Sequence, residues 1–97
     1  MTVPLEKTIV NNILRYLNSL RVCRAIKIHG SGQRSGEADV LCCFKGKTIM
    51  LEVKRPGGAP TALQLEVLEL WNRAGAITGV VTSVDEVKEL LQKEGLI

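Results

Sequence analysis

Asp39, Glu52 and Lys54 are the residues whose types and spacing could do chemistry. Glu52 and Lys54 stand two apart in a β-rich run, 47–54, so they share a face of a strand. Asp39 belongs to the preceding run, 37–44, and the two runs flank Lys45-Gly46, which reads as a hairpin turn. With a two-residue or a four-residue loop, paired residue numbers sum to 91, and Asp39 falls opposite Glu52. A three-residue bulged loop would shift that pairing by one. Opposed side chains in an antiparallel pair have Cβ atoms about 4.5–5.5 Å apart, and like charges there destabilise the sheet. A proton on one carboxyl, the Lys54 amine or a divalent cation must offset the repulsion. Mg²⁺ is commonly held by one or two carboxylates with water and phosphate oxygens completing its shell. Two acids, an amine and such a cation are the equipment for metal-assisted phosphodiester hydrolysis. Spacing alone leaves a surface ion pair at the sheet rim about equally open.

These residues need a scaffold. Leu5, Ile9, Ile13, Leu17 and Leu20, widened by Val10 and Leu14, predict a helix over 5–20 with Asn11, Asn12, Arg15 and Asn18 toward solvent. Residues 22–28 alternate imperfectly, with Val22, Arg24, Ile26 and Ile28 opposite Cys23, Ala25 and Lys27, as in an edge or half-covered strand. Residues 29–36, with three glycines and two serines, read as a flexible loop. In the hairpin, Ala38, Val40, Cys42 and Phe44 share an apolar face with Ile49, Leu51 and Val53. The other face carries Asp39, Leu41, Cys43, Thr48, Met50, Glu52 and Lys54. A helix from Pro60 or Thr61 runs to Ala74, and Gly75 stops it. Residues 77–82 read as a buried strand, and Ser83-Val84-Asp85-Glu86 has the form of a capping box opening a last helix that presents Val84, Val87 and Leu91. The order αβββαβα predicts an antiparallel meander and a fourth strand added through a helical crossover, in a mixed four-stranded sheet flanked by helices.

Composition narrows the class. The chain has 97 residues, 45% hydrophobic and 24% charged, which predicts one globular domain over 1–97 and excludes wholesale disorder, collagen and coiled coil. No apolar run approaches the roughly 18 residues of a membrane span, and residues 1–7 lack a signal-peptide layout, so a cytoplasmic protein is expected. A net charge of +3 permits a polyanionic partner without demanding one. Three cysteines without C-x-x-C spacing read as buried or half-buried thiols, with Cys42 and Cys43 on opposite faces.

Gly36-Glu37-Ala38-Asp39, followed by Glu52-Val53-Lys54, resembles the D…E-x-K signature of the PD-(D/E)XK nuclease superfamily, and more narrowly the VRR-NUC (virus-type replication-repair nuclease) domain. Gln64 matches the family's glutamine in the next helix, Glu6 its first-helix glutamate, and the stretches 71–75 and 80–83 its ending. Ala38 departs from the family, which has proline there. The resemblance spans nearly the whole chain and implies a restriction-endonuclease-like α/β fold and a Mg²⁺- or Mn²⁺-dependent DNA endonuclease. By the same resemblance Asp39 and Glu52 would ligate the metal by side chain and Val53 by its carbonyl, while Glu6 approaches directly or through water. Lys54 would orient or deprotonate the attacking water and stabilise charge, and Gln64 would position Lys54 or the scissile phosphate. Minimal stand-alone members, typically from phages, resemble Holliday junction resolvases acting as homodimers, which implies four-way junction DNA as substrate and the host cytoplasm as location.

Lys27, Arg34 and Arg55 bracket the expected site and read as DNA-phosphate contacts, or as a solvated basic surface. His29 reads as a turn residue or phosphate contact rather than a metal ligand. Gln64 also fits an ordinary T-x-x-Q capping box with Thr61, and Glu6 a first-turn acid on a helix macrodipole. A nuclease for flaps, nicks or duplex ends and a non-catalytic DNA-binding module are the alternatives.

Overall fold

The computed structural model describes residues 3–28 and 36–97; Arg34, His29 and the glycine-rich loop through Ser35 lie outside the described residues. The elements are α1 (Glu6–Ser19), β1 (Cys23–Lys27), β2 (Val40–Phe44), β3 (Lys47–Val53), α2 (Ala62–Arg73), β4 (Ile77–Val81) and α3 (Val84–Lys93). The sheet order is β1-β2-β3-β4. The first three strands form the expected antiparallel meander, and β4 joins β3 in parallel after the α2 crossover. No helix among the described residues is long and apolar enough to cross a membrane.

The hairpin turn sets the register. Lys45 and Gly46 both have positive φ, 52° and 79°, as a two-residue turn matched to strand twist requires. Lys45 is an unusual residue for that conformation. Its amine donates to the Leu96 carbonyl at 2.6 Å and lies 5.2 Å from the Phe44 ring centroid, so the hairpin tip is tied to the end of the chain, away from the acids. Strand pairing follows the sum of 91 from Phe44↔Lys47 to Val40↔Leu51.

Two apolar layers result. On one face α1 and α3 bury Ile9, Val10, Ile13, Leu17, Val87 and Leu91 against Val40, Cys42, Phe44, Ile49, Leu51 and Val53. On the other, α2 gathers Ala38, Met50, Leu68 and Ala76, with Ile28, Leu41 and Trp71 partly buried. Of α2, only Leu68 is fully buried, and Leu63, Leu65 and Leu70 are exposed. Cys42 and Cys43 lie on opposite faces, as their alternation predicts, but Cys43 is exposed rather than half-buried.

Several expectations need correction. Leu5 is not on the buried stripe: it is the N-cap of α1 and 65% exposed. Asn18 is exposed, as expected, but it also bonds the edge strand. Its side chain accepts from Ala25 N–H and donates to Ala25 C=O, both at 2.9 Å, which docks the edge strand β1 onto α1. The buried face of β1 is therefore that of Cys23 and Ala25, while Val22 and Ile26 are exposed. Strand β4 is the other sheet edge and only Val81 in it is fully buried, so it is not a buried strand. The α3 capping box is half formed: Ser83 Oγ accepts from Glu86 N–H, but Glu86 turns to the N–H and hydroxyl of Thr82.

Asn18→Ala should cost about 1–2 kcal/mol by losing two hydrogen bonds to one backbone unit. Chemical denaturation reads the loss, and amide exchange should accelerate selectively in β1.

Candidate active site

Beyond Val40↔Leu51 the β2–β3 ladder changes. In the regular register Asp39 would face Glu52. Instead Asp39 N–H donates to Leu51 O at 3.0 Å, one residue off, while Asp39 O still accepts from Ile28 N–H at 2.8 Å on the β1 side. The Asp39 carboxylate, through Oδ2, accepts from Val53 N–H at 2.8 Å and takes the place of a ladder carbonyl. This is a bulge-like slip beside the acids, a common position for such irregularities. It also explains Ala38, which packs with Met50 and Leu68 on the α2 face rather than with Val40. The chain reaches this slip through Gly36, whose φ is +83° and where a Cβ would stand 2.6 Å from Leu63 Cγ. Glu37 then accepts from Trp71 Nε1 at 2.7 Å, a link to α2 that the sequence reading did not assign.

Glu52 shares the α2 face with Met50 and is 1% exposed, the one buried charged residue among those described. Its Oε1 accepts from Gln64 Nε2 at 2.9 Å and lies 3.7 Å from Lys54 Nζ. Its Oε2 is buried without a hydrogen-bond partner. Burial pushes the Glu52 carboxyl up to about 8, helped by the nearby Asp39 carboxylate; Lys54 opposes this and Glu6 adds to it. Desolvation and the second carboxylate thus outweigh the amine. Without a cation, burial therefore favours the protonated form of Glu52.

Asp39, Glu52, Lys54 and Gln64 are therefore brought together. Gln64 performs both roles its position allowed: its Oε1 accepts from Thr61 N–H at 2.8 Å as a capping-box partner, and its amide nitrogen serves Glu52. Its contact is with the carboxylate rather than with Lys54. Val53 contributes backbone, its side chain being buried in the layer under α1 and α3. Glu6 begins α1, on the opposite face of the sheet; its charge is felt at Glu52, but among the described residues no three His, Cys, Asp or Glu side chains gather as a metal-binding group. Arg55 donates to the carbonyls of Pro4 at 3.1 Å and Val3 at 3.3 Å, fastening the lead-in of α1 to the end of β3. Lys27 is exposed at the end of β1, beside a mainly apolar groove that runs past Ile26, Leu41 and Trp71.

The arrangement suits a divalent cation. A buried oxygen without a donor, beside a second carboxylate, lacks positive charge, and two carboxylates suffice where water and phosphate oxygens complete the shell. No family model and no curated protein matches the sequence. A solved structure described as a VRR_NUC domain superposes with a TM-score of 0.76 at 26% identity, covering 90% of this chain and 94% of that one. The fold is that of a VRR-NUC domain. VRR-NUC domains are nucleases of the PD-(D/E)XK type, and the coarse function this implies here is that of a nuclease.

The raised Glu52 carboxyl sets a pH dependence. The folded, metal-free chain holds that proton up to about 8, whereas the unfolded chain releases it near 4.5. Folding stability is therefore full below about 4.5, falls as pH rises, and levels off above about 8. Glu52→Gln should flatten that slope and leave the variant more stable than the parent at pH 8, read by denaturant titration in chelator across this range.

Proposed function

We propose that this chain is a divalent-metal-dependent endonuclease that cuts DNA phosphodiesters, with four-way junctions as its substrate and a homodimer as its working form. The observation that carries the chemistry is the Glu52 carboxyl beside Asp39, with one oxygen buried and unpartnered and Lys54 3.7 Å from the other. The VRR-NUC fold supports the nuclease class. Junction choice and pairing follow from the resemblance to minimal resolvases, and a two-fold dimer matches two strands related by symmetry.

Asp39 and Glu52 would hold Mg²⁺ or Mn²⁺, with the Val53 carbonyl beside them and Glu6 reaching the site through water. Bound there, the cation would polarise the scissile phosphate and lower the pKa of a water. The protein's own part is positioning and charge. The Asp39 carboxylate is held by Val53 N–H, and the Glu52 carboxylate by Gln64, so neither swings freely. Lys54 places a positive charge on the same side, where it orients the attacking water and stabilises the charge that develops on phosphorus oxygens. Lys27 and Arg34 supply phosphate contacts. Arg55 keeps its charge near the site while its donors fasten the N-terminal segment.

A labelled four-way junction, tested beside duplex, flap and single-stranded DNA with Mg²⁺ or Mn²⁺, checks the whole reading. Paired symmetric cuts on the junction alone, lost with chelator, are expected. Cutting of every substrate would keep the chemistry and reject the junction preference. Lys54→Ala and Glu52→Ala should each lose about 100-fold or more in rate while remaining folded. Full activity in chelator would reject the metal.

Metal binding should also release the Glu52 proton. Mn²⁺ affinity should tighten as pH rises from 6 to about 8 and flatten above it, with a buffer-dependent calorimetric heat reporting proton release.

A further inference from the structure

Glu52 is positioned from the start of a helix. Thr61, the N-cap of α2, has φ −73° and ψ 162°, and its hydroxyl accepts from Gln64 N–H at 3.1 Å. Thr61 N–H donates in turn to Gln64 Oε1 at 2.8 Å. A backbone N–H only donates, so the oxygen end of the Gln64 amide must face Thr61 and the NH₂ end must face away. That NH₂ group meets Glu52 Oε1 at 2.9 Å. Chemistry at both ends thus fixes which way the amide lies. One Glu52 oxygen is occupied by Gln64, with Lys54 nearby, and the other is buried and unpartnered.

We propose that the α2 capping box is a positioning device for the site: Thr61 sets the Gln64 amide so that Glu52 offers a divalent cation Oε2 alone. The inference rests on the reading above that Glu52 holds the cation. Thr61 acts only through Gln64 and is a positioning residue. A capping box ordinarily satisfies a helix start and nothing more. Here the amide has a second partner on β3, so the same two bonds that begin the helix also stop the carboxylate from rotating.

The test measures Mn²⁺ affinity of the full chain by titration calorimetry, together with the side-chain amide signals of Gln64 in the metal-free protein. Thr61→Pro removes both the hydroxyl and the N–H while suiting the local φ of −73°. Gln64→Ala removes the relay without touching residue 61. Thr61→Ser keeps both groups. Ser83→Ala removes the cap of α3, a helix start on the opposite face of the sheet from this relay. Thr61→Pro and Gln64→Ala should weaken Mn²⁺ binding about tenfold or more, as losses of groups that orient a metal ligand do. Thr61→Ser and Ser83→Ala should bind like the parent, although Ser83→Ala melts lower. In Thr61→Pro the Gln64 NH₂ signals should move to solvent-exposed positions. Equal weakening by Ser83→Ala would reduce Thr61 to helix stability and overturn the inference. Unchanged affinity in folded Gln64→Ala would overturn it as well. Failure of the folded parent to bind Mn²⁺ at all would reject the metal reading, and this inference with it.

Discussion

A carboxylate buried in the middle of a sheet is the constraint around which the rest is arranged. Glu52 stands on an inner strand between β2 and β4, is bonded by Gln64 of α2, and is buried. An ionised carboxylate in such a place costs several kcal/mol unless it is paired and hydrogen-bonded. Gln64 and Lys54 meet half of that requirement on one oxygen, and nothing among the described residues meets it on the other. A leucine would pack there at lower cost to the fold. The acid makes sense as a group whose remaining valence belongs to something the chain recruits.

Topology concentrates the required groups at one end of the sheet. Strand β3 finishes there, β2 begins there, and parallel β4 finishes alongside, so backbone from three strands converges beside Asp39 and Glu52. The N-termini of α1 and α2 are drawn to the same end, one on each face. Arg55 fastens the first by gripping the carbonyls of Val3 and Pro4, and Thr61 opens the second. A meander alone would not achieve this. The parallel crossover through α2 delivers Gln64 above the end of β3 within 12 residues of Glu52.

The element order, the mixed sheet and the hairpin register were legible because alternation and a Lys-Gly turn are local signals. The register failed at Asp39, where a side-chain oxygen replaced a backbone carbonyl; no pattern of apolar residues encodes that exchange. The misplaced face of Ala38 followed from the same slip. The Asn18 link and the half-burial of β4 went unread because polar contacts and half-burial hold the edge strands, which hydrophobic periodicity does not register. Gln64 offered two readings that looked exclusive, and an amide with two chemically different ends satisfied both. That Asp39 and Glu52 sit together came from residue types and spacing; the unpartnered Glu52 oxygen came only from the structure. Which face α1 covers, and so where Glu6 starts, could only come from the structure.

Helix α2 carries Gln64 yet is fully buried only at Leu68, while α1 and α3 share a dense layer on the far face. Stability in such a chain is unevenly distributed. Sparse burial makes α2 the lighter unit, expected to open before the α1–sheet–α3 body. Every excursion of the lighter unit uncouples Gln64 from Glu52 while leaving both carboxylates on the intact sheet. The acids and their second-tier support therefore belong to different folding units, so the lifetime of the organised site is shorter than the lifetime of the fold.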